Sequence, residues 1–164
     1  MAGYSAVEIA NEFLKRRGKN TWPSQMLIQK LVYIANGWNL AINNEPLVSE
    51  NPQAWDNGPV YLSLWRAVKD YGYKGQNCEI VDNPFAEEPE FASLSPSEIS
   101  VINHVWARYG KKSALKLSEM THEPGTPWTN AYVHRGRNAE LKSEEIRSHY
   151  IALALSGREK QAVQ

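Results

Sequence analysis

Few side chains in this sequence have the types and spacing that covalent chemistry requires. Cys78 together with His122-Glu123 has the composition of a Cys–His hydrolase, in which an imidazole takes the thiol proton and a third group orients the imidazole. That reaction also needs direct contact between thiol and base, which sequence cannot supply, and oxyanion donors, for which no motif is present. No glycine-rich loop has phosphate-cradle spacing, and no group of His, Cys, Asp or Glu has the spacing of metal ligands. His104 and His149 each stand alone within a helical pattern, and Thr121 and His122 read as helix-end residues bonding free carbonyls. The chain is therefore expected to bind rather than catalyse, with no cofactor and no metal.

One binding chemistry is contact with phosphates. Arg108, Lys111, Lys112 and Lys116 surround the turn Gly110-Lys111-Lys112 between two helical patterns, an outline that resembles a helix-turn-helix. Against this, 18 basic and 18 acidic residues cancel, so no overall field draws the chain to nucleic acid or to an anionic membrane. The second helix also offers Leu115, Leu117 and Met120 and few side chains able to read bases. DNA binding stays as an alternative, in the form of a regulator or of autorepression.

The elements that must position any site are mostly helices. With 164 residues the chain is long enough for one domain with a real core. Ser5 and Glu8 have capping-box spacing and start a first helix with Val7, Ala10, Phe13 and Leu14 on one side, ending near Gly18. Ser24 caps a long second helix whose stripe of Leu27, Leu31, Ile34, Trp38 and Ile42 must be buried, with Asn43-Asn44 as its stop. Burial of such side chains stabilises by about 1.5 to 3 kcal/mol each, which makes this helix the expected centre of the core. Lys30 and Tyr33 lie off the stripe's centre, facing a groove or snorkelling at its margin.

Pro46-Leu47-Val48 and Gln53-Ala54-Trp55 form a small hairpin or two extended arms. Asn57-Gly58-Pro59 reads as a turn in which Gly58 takes positive φ and Pro59 opens a third helix over 60–71. Residues 73–93 read as a surface loop, with acids Asp82, Glu87, Glu88 and Glu90 solvated. Ser95-Pro96-Ser97-Glu98 restarts a helix through Ile99, Ile102, Val105, Trp106 and Tyr109; Ser113 caps a shorter one. A short helical turn follows from Trp128 to Val133, and the last helix runs from Ser143 with Ile146, Tyr150, Leu153 and Ala154 on one face. The expected fold class is mainly α, a compact single-domain helical bundle with a small β-hairpin over 1–155, followed by a flexible tail at 156–164. The lone Cys78, the absence of an apolar leader and of any run near the roughly 20 apolar residues that span a bilayer point to a reducing cytoplasm and no membrane.

Several of these segments together resemble a known family. Leu27-Ile28-Gln29-Lys30-Leu31-Val32-Tyr33, Trp38, Pro46-Leu47, Ala54-Trp55 and Gly58-Pro59-Val60 are followed by Trp106, Tyr109-Gly110, Leu117-Ser118, Thr121-His122 and Pro127-Trp128. This series resembles the Panacea, or SocA-type antitoxin, domain of phage-associated proteins. The chain departs from the pattern at Thr21-Trp22-Pro23 and at Trp65, where a tyrosine is expected. The resemblance implies a helical antitoxin that neutralises a cognate protein toxin by direct binding; one branch of the family instead delivers its toxin to a AAA+ protease. Aromatic side chains dominate binding hot spots as well as cores, so those outside the helix stripes are informative: Trp22, Trp55, Tyr61 and Trp128. Trp55 and Trp128 also suit anchors that hold the turns down. The partner surface implied is the turn region, with Trp55, Asp56, Asn57 and Tyr61 as its cluster and Asp56 facing a basic residue of the toxin.

Overall fold

A computed structural model describes residues 3–18 and 23–163, with 158–163 as backbone only. The expectations for Thr21-Trp22 fall outside the described residues. Seven helices and one hairpin are present among those described: α1 (Ala6–Arg17), α2 (Gln25–Asn43), β1 (Gln53–Trp55), β2 (Gly58–Val60), α3 (Leu62–Tyr71), α4 (Pro96–Tyr109), α5 (Ala114–Thr121), α6 (Pro127–His134) and α7 (Ser143–Val163). The fold is mainly α with a two-stranded antiparallel sheet, as expected. No described helix is long and apolar enough to cross a membrane.

Local chemistry sets the helix starts. Ser5 and Glu8, and again Ser95 and Glu98, form reciprocal capping boxes, while Ser24 and Ser113 accept from the backbone N–H three residues on. Asn44, at φ 57°, stops α2 in the left-handed conformation. α7 continues past Ser156, where the sequence pattern places the start of a tail.

α2 is the centre of the molecule, packed against α1, α3, α4, α5, α7 and β2. Every residue from Ile28 to Leu40 is buried, which corrects the one-sided stripe: Lys30 and Tyr33 are each 1% exposed, whereas Ile42 is 59% exposed. A helix surrounded on all sides must match its polar groups internally. Asn36 Oδ1 accepts from the N–H groups of Leu47 and Val48 at 2.8 and 3.1 Å, and Asn39 Nδ2 donates to Glu45 O at 2.8 Å, so these polar residues hold the chain that follows the helix.

The hairpin is not the one the apolar runs mark. β1 pairs with β2, Ala54 opposite Pro59, while Val48 bridges Tyr4 as an extended arm. Pro59 therefore lies in a strand, not at the first position of a helix, and α3 begins at Leu62. α3 turns Leu64 and Ala67 into the core and leaves Trp65 and Val68 half-buried. On the far side Leu117 of α5 is buried but Leu115 is 66% exposed, and Ile99 and Leu153 are also exposed. The 73–93 connection is tied to α1 by Asn11, which bonds both the carbonyl and the N–H of Ile80 and donates to Glu90 O, and Tyr4 Oη donates to Ser93 O.

Candidate partner-binding site

The hairpin turns through two residues, Asp56 and Asn57, because its register sets Trp55 opposite Gly58. Gly58 has φ +117°, as the sequence predicts. A side chain there would be strained, and its Cβ would stand 2.9 Å from Lys30 Cε and 3.1 Å from Thr121 Oγ1. The turn sits directly on α2 and α5.

Three further elements fix the turn. Ser118 Oγ donates to Asn57 O at 2.5 Å, and Trp128 Nε1 donates to Trp55 O at 2.6 Å. Ala54 N–H donates to Ala139 O and Asn138 N–H to Ala54 O, both at 2.8 Å, so the 138–141 segment continues the sheet edge. Trp128 thus proves to be an anchor; its ring stacks on Tyr132 at 4.5 Å. Tyr132 in turn donates to Asp56 Oδ1 at 2.7 Å, and Arg137 to Oδ2 at 2.5 Å. These two bonds hold the Asp56 carboxyl below its usual pKa, the Tyr132 bond contributing most, while Asp56 pushes the Tyr132 hydroxyl up. Asp56 is an exposed acid with an internal partner.

Of the four residues expected to form the partner cluster, the structure brings Trp55, Asp56 and Asn57 together and removes Tyr61. Tyr61 is 0% exposed. Its backbone is gripped at both groups by Gln29, with Tyr61 N–H donating to Oε1 at 2.8 Å and Nε2 donating to Tyr61 O at 3.1 Å. That grip turns the ring into the core, where burial raises the hydroxyl well above the ordinary tyrosine pKa.

Beside the hairpin opens a cavity of about 320 Å³ whose lining includes Met26, Lys30, Trp55, Asn57, Trp65 and Arg137. Trp55 and Trp65 meet edge to face at 5.4 Å, and Lys69 Nζ lies 5.0 Å from the centre of the Trp65 ring. Lys30 Nζ donates to Pro59 O at 2.8 Å. Burial drives its pKa down to about 7. Trp65 and Arg137 are site residues that sequence reasoning missed, while Lys30, one of the two expected to face a groove or snorkel, lines the cavity; its signal was Gln29-Lys30, two polar residues inside an otherwise apolar helical run.

The basic residues Arg108, Lys111, Lys112 and Lys116 are all exposed at the α4–α5 corner. Cys78 is buried in the α3–α4 connection, and His122 directs Nδ1 to Ser118 O and its ring to Trp128.

The family model for "Antitoxin SocA-like, Panacea domain" matches residues 28–129, from the first turn of α2 into α6. The chain belongs to that family. It is also similar to Antitoxin SocA of Caulobacter vibrioides (strain NA1000 / CB15N), at 27% identity over 124 residues, covering 73% of this chain and 66% of the relative. No solved structure gives a significant match. The region matched by the Panacea model contains Lys30, the hairpin, Ser118 and Trp128, but stops before Tyr132 and Arg137, the two residues that hold Asp56.

Proposed function

We propose that this Panacea-domain protein is an antitoxin that masks a protein toxin by direct, non-enzymatic binding through the hairpin face formed by Trp55, Asp56 and Asn57. The observation that carries the reading is the state of that hairpin: Asp56 and Asn57 are exposed at its tip while its backbone is bonded from α5, α6 and the 138–141 segment. A surface already held in one conformation loses little entropy on binding, and an aromatic at its edge supplies a hot spot. Membership of the SocA-like family supports a toxin as the partner.

The test is co-expression with the product of the adjacent reading frame. Asn57→Arg places bulk and charge on the tip without touching the backbone bond to Ser118. The variant should keep the wild-type melting curve and lose growth rescue, with affinity reduced by about tenfold or more, as at a central interface position. Toxin abundance should be unchanged in rescued cells, since masking, unlike delivery to a AAA+ protease, leaves the toxin intact. A folded Asn57→Arg protein that rescues fully moves the interface elsewhere, with the corner of Arg108, Lys111, Lys112 and Lys116 next.

A further inference from the structure

Lys30 is a buried amine with no anion beside it among the described residues. It is 1% exposed, and its one bond among the described residues is to Pro59 O, so two of the three N–H groups of an ammonium have no acceptor among the described residues. No carboxylate pairs with it among the described residues. The acid lining the same cavity, Asp56, is held by Tyr132 and Arg137. Removing an ammonium from water without a counter-charge is costly and favours the neutral amine, and a buried amine in a cleft is the kind of group that a bound anion would complete.

The rest of the cavity describes what would complete it. Trp55 and Trp65 give flat apolar walls, Met26 adds an apolar side chain, and amides such as Gln25 and Asn57 add neutral polar groups. The volume, about 320 Å³, is that of a small-ligand pocket. We infer that this cavity is a receptor for a single carboxylate on a flat apolar stem, with Lys30 as the counter-ion and the Trp55 and Trp65 rings as the walls. One ammonium balances one negative charge, and the neighbouring guanidinium of Arg137 is already matched by Asp56, so a phosphate dianion would be left partly uncompensated. The inference does not depend on the antitoxin reading, and its test uses no toxin.

The pH dependence follows from the same geometry. With Lys30 at about 7 in the free protein, a bound carboxylate favours the ammonium, so binding takes up a proton and weakens as pH rises. Of the other ionisable groups lining the cavity, Asp56 is held ionised by its bonds and Arg137 is a guanidinium cation. The Tyr61 and Tyr33 hydroxyls, buried in the core, are pushed well above the ordinary tyrosine range.

Calorimetric or NMR titration of the full chain with phenylacetate, phenylacetamide and inorganic phosphate tests the site. Phenylacetate should bind about tenfold or more tighter than its neutral amide at pH 6, and that preference should shrink about tenfold by pH 8.5, as Lys30 loses its proton. Lys30→Met, which keeps the apolar stem, should bind acid and amide alike at both pH values; Trp55→Ala should weaken both ligands equally. Should Lys30→Met fail to fold, the acid-to-amide ratio of the wild type against pH still decides. A dipeptide ending in phenylalanine, compared with its amidated form, identifies the source: tighter binding than phenylacetate assigns a protein C-terminus, weaker binding a free small acid. Equal affinity for acid and amide in the wild type, phosphate binding as tight as phenylacetate, or no binding overturns the inference.

Discussion

In its N-terminal half α2 meets the molecule through Gln29 and Lys30, whose polar ends bond the backbone of Pro59 and Tyr61. In its C-terminal half it does so through Gly37 and Trp38. Gly37 leaves no room for a Cβ beside the ring of Tyr150, and Trp38 packs edge to face on Tyr150 at 5.2 Å while its Nε1 donates to Tyr109 Oη at 3.2 Å. Both halves are buried from Ile28 to Leu40. Close packing of apolar rings is the stabilising way to fill a core, whereas an unpaired ammonium there opposes stability. The contrast separates a half that holds the fold from a half that holds the hairpin and its cavity.

The largest effect should come from the packed half. Trp38→Ala removes a ring that is 6% exposed and meets Tyr150 and His104, and should cost about 3 to 5 kcal/mol in denaturant unfolding. An unchanged midpoint would break the assignment of this half to stability. Next, Gly58→Val forces a β-branched residue to φ +117° against Lys30 and Thr121, with an expected loss of about 1 to 3 kcal/mol. Asn57→Ala, which leaves the carbonyl bonded by Ser118 intact, should be close to neutral, and equal stability of the two variants would remove the case for a special conformation at Gly58.

The comparison sharpens with pH. Lys30 binds a proton less readily folded than unfolded, its pKa falling from 10.5 to about 7. Between these values the unfolded chain holds more protons, so folded stability rises with pH; below about 7 the contribution is flat. The stability of wild type relative to Lys30→Met should therefore climb by about 1 kcal/mol per pH unit between pH 7 and 9, and parallel curves would mean that Lys30 is not a buried titrating amine. The smallest effect is expected at the exposed pair. Asp56→Ala should leave the melting temperature nearly unchanged despite its bonds to Tyr132 and Arg137, because surface ion pairs contribute little.

What was legible in the sequence was local. Ser5 with Glu8, Ser95 with Glu98, Ser24 and Ser113 each act within one helical turn, and Gly58 needs only its own φ, so neighbouring residues announce them. The aromatic and glycine pattern likewise sufficed for the family resemblance, which the match over 28–129 bears out. Tertiary structure decided what those residues do. A helix wrapped on all sides has no exposed margin, so Lys30 could not snorkel and Tyr33 joined the core. Tyr61 followed, because Gln29, 32 residues earlier, captures its backbone. Asp56, which on its own spacing is a free surface acid, meets an arginine 81 residues away. Caps and turns are interactions between near neighbours in the chain, whereas burial and charge pairing are settled by which distant segments share a volume.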